Sequence, residues 1–104
     1  MTHEEGMRLA LIEAHQAAME DEVPVGAVVV CGGAVLARAH NRTVALSDGT
    51  AHAELLAIRE AAHRLGDWRL SGCDIYVTLE PCAMCVGACI GARLDTIVFG
   101  AYDK

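Results

Sequence analysis

Aromatic residues are scarce in this chain: one Trp, two Tyr and one Phe make up 4% of 104 residues. A surface that stacks successive bases on aromatic rings is therefore poorly provided for. Positive charge is also short. Eight Lys and Arg stand against 14 Asp and Glu, a formal net charge of -6. The imbalance runs along both halves, so no basic patch marks a long phosphate-tracking footprint, while a short one stays open. No apolar run is long enough to span a bilayer, which counts against a membrane. The opening Met1-Thr2-His3-Glu4-Glu5 is acidic and lacks the basic-then-apolar pattern of a signal peptide. No repeat, linker or low-complexity tract appears. This length makes one domain, expected over residues 1–104.

Apolar residues make up 54% of the chain, and much of that is Ala and Val, so close packing of small side chains is expected. Cysteines number five. An odd count without framework spacing fits a reduced, cytoplasmic compartment better than a disulfide scaffold.

Residues 3–20 predict an amphipathic helix with Met7, Ala10, Leu11, Ala14 and Ala18 on one face. Leu9, Ile12 and Met19 mark a second apolar stripe. Val23 to Cys31 predicts a strand buried on both faces. Gly32-Gly33 predicts a hairpin turn, and Ala34 to His40 its returning strand. A polar loop, Asn41 to Gly49, follows. A second helix is expected from Thr50 or Ala51 to Leu65, with Leu55, Ile58, Ala62 and Leu65 inward and Gly66 as its stop. After a connector at 67–72 come a strand (Asp74 to Leu79), a helix (Pro81 to Arg93) and a last strand (Asp95 to Gly100). Alternating strands and helices in the second half predict parallel pairing in an α/β fold.

Chemistry concentrates in two short stretches. His52-Ala53-Glu54 opens the second helix, and Pro81-Cys82-Ala83-Met84-Cys85 opens the third. Both helix starts fall at the sheet edge where α/β folds bind ligands. Cys82 and Cys85 are one helical turn apart, so their sulfurs can converge on one ion. A helix N-terminus favours the thiolate form that binds zinc. His52 adds a third ligand. Three protein ligands leave tetrahedral zinc an open position, the mark of catalytic rather than structural sites. Glu54 has no use as a further ligand and suits proton transfer to and from a water, first as base and then as acid. The pair matches the known H-x-E…P-C-x-x-C signature of zinc deaminases.

Blander readings stand beside these. Cys89, one turn past Cys85, could close a structural zinc site or simply pack in a helix of small residues. Cys31 and Cys73 read as small buried apolar residues. His3, His15, His40 and His63 read as surface. Asn41 can present donor and acceptor to a base or ribose, or serve as a turn residue. Gly26 either admits a ligand close to the backbone or relieves crowding. Glu20-Asp21-Glu22 reads as a solvated helix end, and Trp68 as a plug over the connector.

From Val23-Pro24-Val25-Gly26-Ala27-Val28 onward the sequence resembles the tRNA adenosine deaminase branch of the cytidine deaminase-like superfamily. Asn41-Arg42, Thr50-Ala51-His52-Ala53-Glu54, Asp67-Trp68-Arg69-Leu70, Tyr76 to Cys85 and Val98-Phe99-Gly100-Ala101 carry the likeness. The resemblance implies a three-layer α/β/α fold with a mixed sheet of about four strands. It implies one Zn2+ per chain on His52, Cys82 and Cys85, Glu54 as proton shuttle, and a homodimer. Asn41 would contact the base or ribose. Backbone near Ala53, Pro81 and Cys82 would position purine and water, with Val25 and Asp103 also in the substrate-contacting set. The implied reaction is adenosine-to-inosine conversion at the wobble position of a tRNA anticodon loop, or in other single-stranded nucleic acid. Members of that branch continue past the position of Lys104 with elements that cover a sheet edge and help hold the RNA. Exposed apolar surface or self-association is therefore expected. Whether the chain is a minimal enzyme, a fragment or an engineered core stays open. So do two rivals: a deaminase of free guanine or cytosine, and a non-catalytic zinc scaffold.

Overall fold

The computed structural model describes residues 1–103. In chain order the elements are α1 (His3–Met19), β1 (Gly26–Cys31), β2 (Ala34–His40), α2 (Ala53–Leu65), β3 (Cys73–Leu79), α3 (Ala83–Gly91) and β4 (Thr96–Ala101). α1 starts where the Thr2 hydroxyl accepts the Glu5 N–H at 3.1 Å, with Glu4 and Glu5 complementing the helix dipole. Gly32 and Gly33, at φ 60 and 81, supply the left-handed pair that a two-residue hairpin requires.

The sheet order is β2-β1-β3-β4. This departs from the expected run of parallel pairs. The hairpin sets β2 on one side of β1, and α2 carries the chain across to the other side. β3 therefore pairs antiparallel with β1, and only β3 and β4 pair parallel. The sheet is mixed, as the family resemblance implied.

Alternation along the strands divides the core. Ala27, Val29, Ile75 and Val77 face α2 and α3. Val28, Val30 and Tyr76 face Ala10 of α1. Helices thus cover both sheet faces. The expected faces hold in part, with Ala10 and Ala14 of α1 buried and Ile58 and Ala62 of α2 packed on the core, but small residues make the closest approach. α1 buries Gly6, Ala10, Ala14 and Ala17, while Leu11, Ile12 and Met19 stay exposed. α2 buries Ala53, Ala57 and Ala61, and Leu65 is exposed. Small side chains let helix and sheet backbones approach closely. Gly26 is the clearest case. A Cβ there would lie 2.0 Å from the Ala10 carbonyl oxygen and 2.5 Å from the Ala14 nitrogen. Helix α1, not a ligand, occupies the space next to it.

Candidate metal centre

The C-terminal ends of β2, β3 and β4, the N-terminal end of β1 and the first turns of α2 and α3 meet at one edge of the sheet. Between them lies a cavity of about 210 Å³, whose walls include Asn41, His52, Glu54, Glu80, Cys82 and Asp103. Sequence spacing placed both motifs inside the first helical turns. In the structure His52 and Cys82 are instead the extended caps just before α2 and α3. Pro81 therefore lies one residue ahead of a cap.

Neither cap side chain makes a capping hydrogen bond to its own helix backbone. Asn41 takes over part of that duty for α2. Its Oδ1 accepts the Ala53 N–H at 2.7 Å. The His52 ring is thereby left to turn toward the cysteines. Its Nδ1 lies 3.7 Å from Cys82 Sγ and 3.5 Å from Cys85 Sγ, and the sulfurs are 3.7 Å apart. Tetrahedral zinc with ordinary bond lengths separates two sulfurs by about 3.8 Å and sulfur from nitrogen by about 3.6 Å. The donor set fits zinc in kind and in spacing. Burial, with Glu54 and the Cys82 thiol close by, pushes the Cys85 thiol upward, and a divalent cation is the natural counter-charge for such a group.

Among the described residues the ligand group is limited to His52, Cys82 and Cys85. Cys89 is not part of it. It is buried in the core with Ala57 and Ala61, and burial, with Glu54 nearby, pushes its thiol up to about 11. A closed four-ligand site is therefore not built from Cys89. Glu54 sits in the first turn of α2, 4% exposed, and its side chain lines the same cavity.

The other expected contacts distribute unevenly. Asn41 is buried and lines the cavity; with Oδ1 committed to Ala53, its side-chain NH2 is what it can offer a ligand. Val25 lines the cavity too, and its carbonyl accepts the Asn41 N–H at 3.1 Å. Asp103 closes another side, its N–H donating to Glu80 Oε1 at 3.3 Å. Ala53 and Pro81 are not among the lining residues. The Ala53 N–H is taken by Asn41, and Pro81 has none to give.

Several residues gain roles that the sequence did not disclose. Val23, Leu79 and Glu80 also line the cavity. Glu80 was findable, since it lies between a strand end and the cysteine motif. Glu22 gave no signal inside an acidic run. It is 6% exposed, and its carboxylate accepts from the Val44 and Ala45 N–H groups at 3.1 and 2.8 Å. It thus pins the loop that follows Asn41. His40 is not free surface. Its Nδ1 meets Glu13 at 3.1 Å and its Nε2 meets Glu20 at 3.0 Å. Trp68 is exposed, with the Arg69 and Arg93 guanidinium groups over its ring, and plugs nothing.

Residues 1–101 match the family model described as the cytidine and deoxycytidylate deaminase zinc-binding region. The chain is 55% identical over 97 residues to the tRNA-specific adenosine deaminase of Agrobacterium fabrum, covering 93% of this chain and 64% of that relative. It thus spans slightly less than two thirds of that protein's length. A solved structure from work on A-to-I editing by tRNA:A34 deaminases superposes with a TM-score of 0.93 at 54% identity, covering 95% of this chain and 72% of that one. Guanine deaminase from Bacillus subtilis superposes with a TM-score of 0.95 at 38% identity, covering 98% of this chain and 66% of that one.

Proposed function

This chain belongs to the cytidine and deoxycytidylate deaminase family, and from that premise we propose that it is a single-domain, zinc-dependent adenosine deaminase acting on the wobble position of tRNA. The reaction adds water at the purine C6 and releases ammonia, leaving inosine. The observation that carries the reading is the convergence of His52 Nδ1, Cys82 Sγ and Cys85 Sγ beside the buried Glu54 carboxylate. The adenosine substrate is supported by the tRNA deaminase likenesses at about half identity.

His52, Cys82 and Cys85 hold the metal; when bound, zinc supplies the Lewis acidity that makes water nucleophilic near neutral pH. Glu54 accepts a proton as water attacks and delivers one to the departing amine. Its burial at the cavity wall keeps bulk water from competing for that proton. Asn41 offers its amide to the base or ribose, and Val25 and Asp103 bound the space the purine enters. At about 210 Å³ the cavity is smaller than the roughly 300–1,000 Å³ of pockets that enclose drug-sized ligands. That size suits one base turned out of its strand, with the backbone left outside.

The proposed unit is a homodimer. The uncharged α3, with Met84 and Ile90 exposed, supports a second copy as neighbour. A thiol-reducing compartment such as the cytoplasm suits a site with two thiolate ligands.

The 0.95 TM-score with guanine deaminase, together with the net charge of -6, favours a second reading, a free-base deaminase. Zinc-loaded protein given an anticodon stem-loop with a wobble adenosine, free adenosine and free guanine separates the two. Nucleoside mass spectrometry is expected to find inosine in the stem-loop. Xanthine from guanine with an unchanged stem-loop would support the second reading instead.

A further inference from the structure

We propose that Cys31 and Cys73 form a reversible cross-strand disulfide, a thiol modification site at the end of the sheet opposite the metal centre. Of the five cysteines, Cys82 and Cys85 are accounted for by the metal and Cys89 by the core. The remaining two are direct partners in the antiparallel pairing of β1 and β3. Directly opposed residues of such a pair lie roughly 4.5–5.5 Å apart at Cα. A disulfide spans roughly 4.4–6.8 Å. Opposed residues also project to the same face, and both cysteines join the cluster under α2 and α3.

The side chains already approach each other. The Cys31 thiol reaches across to the Gly72 carbonyl oxygen at 3.9 Å, one residue before Cys73. Burial pushes the Cys73 thiol up to about 12, and the adjacent Cys31 thiol adds to the rise. Gly32 follows Cys31 and Gly72 precedes Cys73, both at positive φ (60 and 84). Each cysteine therefore has a pliant neighbour that lets the strand ends settle as the bond closes.

Exposure sets the order of events. Cys73 is fully buried, whereas Cys31 is half-buried and open to a reagent. The oxidant is a low-molecular-weight disulfide. The Cys31 thiolate attacks one of its sulfurs, forming a mixed disulfide and releasing one thiolate. Cys73 then loses its proton and attacks Cys31 Sγ, releasing the second. Two cysteine thiols are oxidised, and one small disulfide is reduced to two thiols. The product joins β1 to β3 across the stretch that contains β2 and α2, which restricts the unfolded chain.

The test uses the full chain loaded with zinc, so that Cys82 and Cys85 stay coordinated. The protein is incubated in glutathione buffers of increasing disulfide content, quenched with an alkylating reagent, digested and mapped by mass spectrometry, with zinc content followed in parallel. The expected product is a Cys31–Cys73 peptide lighter by two hydrogens, formed with zinc retained and reopened by dithiothreitol. Its melting temperature should exceed that of the reduced chain. Cys31→Ser, at a half-exposed strand end, should fold and give no cross-link to Cys73. A stable glutathione adduct on Cys31 with Cys73 still alkylatable would overturn the proposal. So would both thiols remaining alkylatable, or a cross-link that forms only between Cys82 and Cys85.

Discussion

Asn41 Oδ1 accepts the Ala53 N–H at 2.7 Å, across twelve residues of chain. One side chain thus caps α2 from the end of β2 and faces the cavity as well. It relieves His52, the residue at the cap position, of that task. Asn41→Ala should cost about 1 kcal/mol through the lost cap, and lower turnover while zinc content holds. Asn41→Asp keeps the acceptor and removes the amide donor, so it should recover stability without recovering turnover. Kinetics of the two variants beside chemical denaturation check this.

Gly26 leaves no room for a side chain, because the nearest atoms belong to the α1 backbone. Gly26→Ala must separate α1 from the sheet, at a cost of about 3 kcal/mol on the scale of overpacked cores. A shifted denaturation midpoint with an unchanged slope would report it.

The metal should be part of the fold as well as of the chemistry. His52, Cys82 and Cys85 come from two separate helix starts that one ion would tie together. Chelation, or Cys82→Ala, should lower the melting temperature markedly, because binding free energy is folding free energy when no site exists in the unfolded chain. A melting curve unchanged in chelator would argue against this.

His40 brings a pH dependence through its two carboxylate partners, Glu13 and Glu20. Burial lowers its pKa, but hydrogen bonds to Glu13 and Glu20 outweigh that and raise it above the ordinary 6.5. A raised folded value means the stabilisation is complete below pH 6.5 and fades as pH rises through the folded pKa. Stability should therefore decline from pH 6.5 upward, and His40→Gln should flatten that decline. Denaturation midpoints measured across this range, for both proteins, carry the comparison.

The metal centre was legible because its chemistry is local. Cys82 and Cys85 share one turn, His52 and Glu54 share one helix start, and residue type alone points to zinc. Gly66 as helix stop and Gly32-Gly33 as hairpin turn were legible for the same reason, since φ of 73, 60 and 81 favours glycine. Long-range choices were hidden. Periodicity pointed Leu55, Ile58, Ala62 and Leu65 inward; Ile58 and Ala62 do pack against the core, but its buried centre is Ala53, Ala57 and Ala61, and Leu65 is exposed. Pairing of β3 with β1 depends on which side of the sheet the α2 connection crosses, and no residue pattern in β3 encodes that. Glu22 and His40 found partners more than twenty and nineteen residues away in the chain.

In the proposed reaction Glu54 carries the proton and is not a metal ligand. Glu54→Gln keeps the size and polarity of the side chain and removes its basicity. The decisive measurement is inosine formation in the anticodon stem-loop by this variant, with zinc content determined on the same sample. Full zinc occupancy and a rate lower by about 10²–10⁴-fold are expected. Full zinc with an unaltered rate would contradict that role.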